Sequence, residues 1–445
     1  MNYSERLSNV AILGAAGKMG SGILLLTAME MANLSLKPEN KATRFELVAM
    51  DVSAEGLQGL LEYVKTQVTK AAEKKVDLIK ALYLNRPTLV TDADYVNQYV
   101  ADVMAIIKPV TSLEETYKSN LIIEVIKEDP ALKVKIFKQI DENNPNKPWF
   151  FTNTSSIPIN KLNTDANLNG RILGVHFYNP PAIQKLVEVI KANNTPDEVL
   201  DFATTYIKNL KKIAVPSNDF AGFIGNGHFM RDAIYGIQES EKLAESMPMV
   251  EAIYTINKIT QDFLIRPMGI FQLLDYVGVD VCSYILSVMQ PYFLDERLHS
   301  NYLDTLIEQG VKGGQFSNGS QKDGIFKYEK GQIVAVYNTQ TRSYVDVQLI
   351  EQQCMERIGA YPASLQPWKA VNFSPEKETL LTSYFAELKT MNTMGASIAK
   401  SYLIKANEIG EYLVSKGIAN SPTDVNTVML TGFYHAYGPI NGYMK

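Results

Sequence analysis

The amino-acid sequence predicts an α/β protein, with a doubly wound, mostly parallel sheet in its N-terminal half and an all-helical C-terminal half. Three observations predict this fold class. Short β-branched runs alternate with helical patterns as far as Pro216, a glycine-rich turn joins the first run to the first helix, and long helical patterns follow. Strands separated by helices need crossover connections, which make a sheet parallel and cover both of its faces.

The elements of the first half follow from apolar periodicity and β-branched composition. The segment "NVAIL" predicts the first strand, and the apolar spacing after the glycine-rich turn predicts the first helix. The predicted strands are residues 9–13, 45–50, 120–126, 148–153, 171–176 and 185–190, and the predicted helices are residues 19–31 and 131–143.

A change of pattern after Pro216 divides the chain. Pro216 and the polar residues that follow it are typical of a linker, and the helices beyond it are interrupted where two β-branched runs flank a polar turn and predict a hairpin. We therefore expect a first domain, a first helical domain, a hairpin connection and a second helical domain, over residues 1–216, 217–330, 331–350 and 351–445.

The helical half also contains a weak internal repeat. The stretch "DFLIRPMGIFQLLDYVG" has a later counterpart in "TGFYHAYGPINGY", and their glycines Gly269 and Gly438 are 169 positions apart (438 minus 269). We interpret this as two related helical units.

Composition excludes some classes of partner. Of the 445 residues, 46% are apolar and 20% are charged, as in ordinary soluble globular proteins, and the net charge is −5. No dense run of Lys and Arg is present, so we expect no nucleic-acid partner. The longest apolar stretch is far shorter than the roughly 20 residues that a membrane span needs. We therefore expect no membrane partner.

Cysteine usage and the N-terminus indicate where the protein works. The two cysteines, Cys282 and Cys354, form neither a disulfide framework nor a metal-ligand pattern, which favours a reducing compartment and predicts no metal site. The N-terminus lacks the basic-then-apolar order of a secretion signal. We expect a soluble, cytoplasmic protein.

The glycine-rich turn "GAAGKMG" lies between the first strand and the first helix, with glycines at Gly14, Gly17 and Gly20. Glycine lets backbone N–H groups approach a phosphate, and the positive end of the helix then faces it. In this position the turn predicts a Rossmann-like dinucleotide site, to which Lys18 and Met19 also belong. The spacing is one residue longer than the usual G-x-G-x-x-G, and a simple packing turn is the alternative.

Asp51 follows the second predicted strand. A carboxylate there accepts hydrogen bonds from the adenosine ribose and repels a 2′-phosphate, which favours NAD over NADP. The alternative is an ordinary turn carboxylate at a strand end.

Four later segments, "FFTNTSSIPI", "GVHFYNPP", "KLVEVI" and "GFIGN", resemble the (S)-3-hydroxyacyl-CoA dehydrogenase family in order and in spacing. The stretch "RPMGIFQLLDYVGVD" is similar to the same family. The resemblance implies oxidation of an acyl-CoA substrate with NAD. It also implies a homodimer, or a monomer if the second helical unit takes the place of a partner subunit.

The resemblance also implies roles for the catalytic residues. His176 corresponds to the catalytic base, and Glu188 to its orienting partner. Ser155 and Asn226 correspond to residues that hold the substrate's C3 oxygen and the neighbouring carbonyl.

Three further residues, Glu128, Lys133 and Asn179, correspond to positions near the nicotinamide. The first domain, residues 1–216, is thereby expected to bind the dinucleotide and to carry the His–Glu pair. The helical domain of residues 217–330 is expected to serve substrate binding and dimerisation.

The residue chemistry supports the His–Glu pair independently. Removing hydride from a secondary alcohol requires the hydroxyl proton to leave, and an imidazole accepts a proton near neutral pH. Glu188, inside an apolar run, is costly to bury unless it has a partner. The alternative is two unrelated side chains, each satisfied by backbone; a buried histidine at a strand end is often just a packed core residue.

Departures from the family pattern motivate two other functions. The family usually has an Arg after its version of Asn226, but Gly227 and His228 follow here, and its glycine-lysine-glycine run is only loosely kept near Lys322. Lys74 and Lys75 lie roughly where the family places basic contacts to coenzyme A. A related dehydrogenase of a free hydroxy acid or sugar acid is therefore one alternative. A catalytically silent nucleotide-binding homologue is the other.

Overall fold

A computed structural model describes residues 2–84, 86–316 and 319–444 of the chain. The chain divides into two compact units, Met1–Asp219 and Phe220–Lys445. The division lies close to the break that the sequence predicts at Pro216.

The first unit is built on one mixed sheet. Its strands are β1 (Asn9–Leu13), β2 (Glu46–Met50), β3 (Ile107–Val110), β4 (Leu121–Glu124), β5 (Trp149–Thr152), β6 (Ile172–Phe177), β7 (Leu186–Lys191) and β8 (Ile213–Ser217). Among the described residues of this unit, these eight strands lie in the order β3-β2-β1-β4-β5-β6-β7-β8.

Most neighbours in this sheet are parallel, which confirms the predicted fold class. Each neighbouring pair in the run β3-β2-β1-β4-β5-β6 is parallel, and β7 is parallel to β8, whereas β6 and β7 are antiparallel. The central strands are apolar on both faces because helices cover both faces.

Helices cover the sheet, and except for the first, which precedes β1, they lie in connections between strands. They are α1 (Tyr3–Leu7), α2 (Lys18–Ser35), α3 (Ala54–Glu73), α4 (Val76–Leu82), α5 (Asp92–Ile106), α6 (Pro130–Asn143), α7 (Ile159–Ala166) and α8 (Asp197–Asn209). Two neighbouring residues of β5 show that both faces are covered. Phe150 packs on Phe137 of α6, and Phe151 packs on Phe202 of α8. Since successive side chains of a strand point to opposite faces, these two helices lie on opposite sides of the sheet.

The residues around Pro216 form strand β8 and not the predicted linker. Pro216 lies inside this strand, paired with Val189 of β7. Proline has no backbone N–H to donate. It can occupy β8 because this strand is at the edge of the sheet, where one side of the strand forms no hydrogen bonds to a neighbouring strand. The prediction of a linker at Pro216 is therefore wrong, and the first unit continues to Asp219.

The second unit is mainly helical. Its helices are α9 (Gly225–Leu243), α10 (Met249–Asp262), α11 (Ile270–Val277), α12 (Val279–Met289), α13 (Asn301–Glu308), α14 (Glu351–Ile358), α15 (Trp368–Asn372), α16 (Lys377–Thr390), α17 (Met394–Ser415) and α18 (Pro422–Gly432). No helix in the described part of the chain is by itself long and apolar enough to cross a bilayer. The pair Ile270–Val277 and Val279–Tyr292 meets that test only when joined across a 91° bend.

A small sheet interrupts these helices, as the sequence predicts. Strands β10 (Gln332–Asn338) and β11 (Ser343–Asp346) form the predicted hairpin, and β9 (Phe326–Glu329) pairs with the other side of β10. Strand β9 was not predicted, because "FKYE" is short and half charged. The carboxylate of Asp275 fixes the first residue of β9, because it accepts hydrogen bonds from the backbone N–H groups of Ile325 and Phe326, at 2.6 and 2.8 Å.

The structure supports the internal repeat. Gly269 lies against Asn257 of α10, and Gly438 lies against Asn426 of α18. These asparagines are also 169 positions apart (426 minus 257), and each accepts a hydrogen bond from a backbone N–H that follows its glycine. The similarity between the two helical units therefore includes the asparagines that contact these glycines.

Candidate active site

The predicted His–Glu pair forms across two antiparallel strands. His176 of β6 lies directly opposite Glu188 of β7, and Nδ1 of His176 is 3.1 Å from Oε2 of Glu188. His176 is 8% exposed and Glu188 is fully buried. An ionised carboxylate only accepts hydrogen bonds, so Nδ1 carries the hydrogen of this contact and Nε2 is left as an acceptor.

A tyrosine also binds the carboxylate of this pair. The hydroxyl of Tyr178 donates to the same oxygen, Oε2 of Glu188, at 2.8 Å, and the Tyr178 and His176 rings are 4.8 Å apart. Burial, followed by the charge of Glu188, raises the pKa of Tyr178 well above its ordinary value, so its hydroxyl stays protonated. Sequence reasoning missed this residue, although it belongs to the segment "GVHFYNPP" that resembles the family.

A second buried network lies at the ends of β4 and β5. Lys133 of α6 is 1% exposed, and its ammonium group lies 2.7 Å from Glu124 and 3.1 Å from Glu128. The hydroxyl of Thr152 donates to the other oxygen of Glu124, at 2.6 Å. The structure therefore places Lys133 between two carboxylates in the interior, with Glu128 on its more exposed side.

The charges of this network stabilise one another. Burial alone would lower the pKa of Lys133, but Glu124 and Glu128 outweigh it and raise that pKa. Burial likewise opposes the charge of Glu128, yet the Lys133 ammonium and the Thr154 hydroxyl hold its pKa below the ordinary value. Sequence reasoning missed Glu124, although a glutamate inside the apolar run "NLIIEVI" is the same signal that identified Glu188.

Glu128 in turn holds the segment that carries Ser155. Its Oε1 accepts the Thr154 hydroxyl at 2.5 Å, the backbone N–H of Ser155 at 3.0 Å and the Ser156 hydroxyl at 3.3 Å. Ser155 follows β5 at the carboxyl edge of the sheet, where ligands of open α/β sheets bind. Asn179 follows Tyr178 at the corresponding end of β6.

The glycine loop, residues 14–20, joins β1 to α2. Gly14 has a φ of +77°, and a Cβ on it would lie 2.6 Å from the carbonyl oxygen of Val125. A Cβ on Gly20 would collide with the carbonyl oxygen of Gly14. Gly17 is the N-cap of α2 and makes no side-chain cap hydrogen bond, so no N-cap side chain competes with a ligand for the N–H groups of the first turn, which contains Lys18 and Met19.

Asp51 ties this loop to the end of β2. Its Oδ2 accepts the backbone N–H of Ala16 at 3.0 Å, and its Oδ1 accepts that of Ser53 at 3.1 Å. Each carboxylate oxygen has more than one lone pair, so Asp51 can hold the loop and still accept a ribose hydroxyl. The glycine loop and Asp51 together fit a dinucleotide without a 2′-phosphate.

Comparison with known proteins decides the family. Residues 9–220 match the model described as "3-hydroxyacyl-CoA dehydrogenase, NAD binding domain", and residues 240–323 match the model of the C-terminal domain of that enzyme. A probable 3-hydroxybutyryl-CoA dehydrogenase of Deinococcus radiodurans is 32% identical over 213 residues, which are 48% of this chain and 74% of that protein. The chain belongs to the 3-hydroxyacyl-CoA dehydrogenase family.

Other members of the family cover more of the chain. A probable 3-hydroxybutyryl-CoA dehydrogenase of Bacillus subtilis is 29% identical over 322 residues, which are 72% of this chain and 97% of that protein. The crystal structure of 3-hydroxybutyryl-CoA dehydrogenase from Escherichia coli K12 has a TM-score of 0.62, with 20% identity, over 98% of this chain and 90% of that one. The shared fold therefore extends over nearly the whole chain.

Membership of the 3-hydroxyacyl-CoA dehydrogenase family confirms the resemblance read from the sequence. The chain is an oxidoreductase of this family, and its cofactor is NAD. The remaining predicted site residue, Asn226, lies in the first turn of α9, in the second unit. The lysines considered for coenzyme A, Lys74, Lys75 and Lys322, are all exposed.

Proposed function

We propose that this chain oxidises (S)-3-hydroxyacyl-CoA to 3-oxoacyl-CoA with NAD, and that His176 is the base that takes the hydroxyl proton. The observation that carries the proposal is the 3.1 Å contact between Nδ1 of His176 and Oε2 of Glu188. It supplies the two features that a histidine base needs, namely a fixed tautomer and a negative charge beside the imidazolium that forms.

The proposed reaction removes a proton from the substrate hydroxyl and a hydride from C3. Nε2 of His176 accepts the proton of the C3 hydroxyl, while Nδ1 keeps its hydrogen bond to Glu188. Bound NAD would supply the acceptor for the hydride that leaves C3, and the alcohol would thereby become a ketone. Glu188 remains ionised and stabilises the protonated imidazole, as the orienting acid does in other histidine-based sites.

Ser155 and Asn226 are the proposed ligands of the substrate oxygens. The hydroxyl of Ser155 can donate or accept, and the side-chain amide of Asn226 offers both a donor and an acceptor. The hydrogen bond from the Ser155 backbone to Glu128 supports a fixed position for this serine. These two residues are proposed to bind the C3 oxygen and the neighbouring carbonyl.

The cofactor contacts divide between two ends of the dinucleotide. The glycine loop with Lys18 and Met19 is proposed to hold the pyrophosphate, and Asp51 the adenosine ribose. Glu128 and Asn179 are proposed to lie near the nicotinamide. The buried position of Lys133 supports an indirect role, in which its ammonium group holds Glu128 in place.

A comparison of substrates tests this proposal. NADH formation is followed with 3-hydroxybutyryl-CoA and, in parallel, with free 3-hydroxybutyrate and sugar acids. We expect turnover of the thioester. Turnover of the free acids alone would replace the proposal by the alternative dehydrogenase, and NADH binding without turnover of any of these substrates would favour the catalytically silent nucleotide-binding homologue.

The assembly and location of the enzyme are further parts of the proposal. We propose a homodimer, or a monomer in which the second helical unit, residues 351–445, takes the place of a partner subunit. The packing of α9 on α17, where Nε2 of His228 is 3.2 Å from the Ala406 carbonyl oxygen, supports the monomer, and light scattering distinguishes the two. The free, buried thiols of Cys282 and Cys354 support a cytoplasmic location.

A further inference from the structure

The end of β6 brings three side chains together around one oxygen atom. Oε2 of Glu188 accepts Nδ1–H of His176 at 3.1 Å and the hydroxyl of Tyr178 at 2.8 Å. Tyr178 directly follows β6, two positions after His176, and the centroids of the two rings are 4.8 Å apart. The hydroxyl and the imidazole thus share one acceptor.

Two hydrogen-bond donors restrict the position of a carboxylate oxygen more than one donor does. Glu188 is fully buried, so its charge depends on hydrogen bonds for stabilisation. The Tyr178 hydroxyl is a permanent donor, whereas the imidazole changes its charge during the proposed reaction. The tyrosine therefore keeps Oε2 in place in both protonation states of His176.

We propose that Tyr178 is a positioning residue for the proposed reaction, which fixes Oε2 of Glu188 and weakens the hold of that carboxylate on the imidazolium proton. This inference rests on the proposed role of His176 as the base. No proton passes to or from Tyr178, because its hydroxyl donates to Glu188 throughout. The tyrosine acts on the reaction only through Glu188.

The proposal predicts the effect of Tyr178→Phe, which removes the hydroxyl and keeps the ring. Without this donor Glu188 holds the imidazolium proton more strongly, so the acidic limb of the kcat/KM pH profile for oxidation moves to higher pH, by about half to one unit. The kcat at the optimum falls about tenfold, which is the loss expected for one hydrogen bond to a charged group. The KM stays within about twofold, because substrate binding does not depend on this hydroxyl.

Tyr206→Phe is the matched control. Tyr206 is fully buried in the same unit, and its hydroxyl makes a 2.6 Å hydrogen bond to that of Thr27. This variant also loses one buried hydroxyl, so it reports the structural cost alone. We expect it to change the melting temperature but neither kcat nor the position of the acidic limb. An unchanged kcat and limb in Tyr178→Phe, or the same changes in both variants, overturns the proposal.

A second measurement does not depend on activity. The chain has four histidines, and 15N-labelled imidazole signals can be assigned by replacing each in turn. In Tyr178→Phe the Nδ1 signal of His176 is expected to shift and to titrate at higher pH, while those of the other histidines stay. An unmoved His176 signal overturns the role of Tyr178 even if the enzyme is active. A moved signal in a protein that lacks 3-hydroxyacyl-CoA turnover upholds the contact and rejects the proposed function instead.

Discussion

Two of the buried histidines, His176 in the first unit and His228 in the second, differ in what their imidazoles contact. His176 has a carboxylate as its partner, with Nδ1 3.1 Å from Glu188. His228 is fully buried in α9, and its Nε2 contacts the backbone carbonyl oxygen of Ala406 at 3.2 Å. Both imidazoles are buried, so burial does not distinguish them. The charge of the partner does.

The electrostatics of His228 are those of a core residue. Burial lowers its pKa to about 4, the charge of Asp232 acts against that change, and Arg266 adds to it. His228 is therefore neutral at pH 7 and unsuited to take up a proton. A base has to become charged during each turnover, which a neutral carbonyl stabilises less well than a carboxylate. This contrast teaches that the partner, and not the histidine, identifies a candidate base.

The largest effect is expected at His176. In His176→Ala, turnover of 3-hydroxybutyryl-CoA falls about 100- to 10,000-fold, as when a general base is removed, while NADH still binds. Steady-state rates and NADH fluorescence measure the two properties. His228→Gln is the control, and its turnover per folded molecule is expected to equal that of the wild type. Equal losses in both variants would remove the distinction between the histidines.

Acid stability is expected to depend on His228. The pKa of His228 is about 4 when folded and about 6.5 when unfolded, so the unfolded chain binds more protons between these values. The free energy of unfolding therefore falls by about 3 kcal/mol as the pH drops from about 6.5 to about 4. Urea denaturation across this range measures it.

The histidine variants separate this effect from general acid sensitivity. His228→Gln is expected to flatten the loss of stability, whereas His299→Gln, at an exposed position, is expected to leave it unchanged. Burial also lowers the pKa of His435, so part of the loss remains in His228→Gln. A slope that is the same in both variants contradicts the assignment to His228.

A smaller effect tests whether the unit that contains His176 also holds the dinucleotide. Gly20→Ala places a Cβ against the carbonyl oxygen of Gly14 and distorts the glycine loop. We expect its Kd for NADH to rise about tenfold or more, the cost of one lost hydrogen bond to a charged group. The control is Gly59→Ala in α3, where a Cβ meets nothing within 4 Å, and which should bind NADH normally. Normal NADH binding by Gly20→Ala would exclude the loop from the cofactor site.

Much of the first unit could be predicted from the sequence because its signals are local. The glycine turn, the β-branched runs and a glutamate inside an apolar run each report a buried or constrained position. The pairing of His176 with Glu188 followed from such signals together with the family resemblance. The antiparallel direction of β7 was not predicted, although the connection from β6 is too short for the helix that a parallel crossover needs.

What the sequence could not supply is the contact between side chains. Tyr178 looks like an ordinary aromatic residue beside a strand, and only the register of β6 and β7 brings its hydroxyl to Glu188. Lys133 was predicted to lie near the nicotinamide, but a sequence pattern does not reveal that Glu124 also holds it from the interior. In both cases a second partner, distant in sequence, determines what the side chain does.

The pH dependence of kcat/KM for oxidation tests the central claim most directly, because it reports the protonation of the base in the free enzyme. The wild type is predicted to lose activity at low pH with a single ionisation, and the residual activity of His176→Ala is predicted to lack this acidic limb. An acidic limb that persists unchanged in His176→Ala would contradict the assignment of His176 as the base.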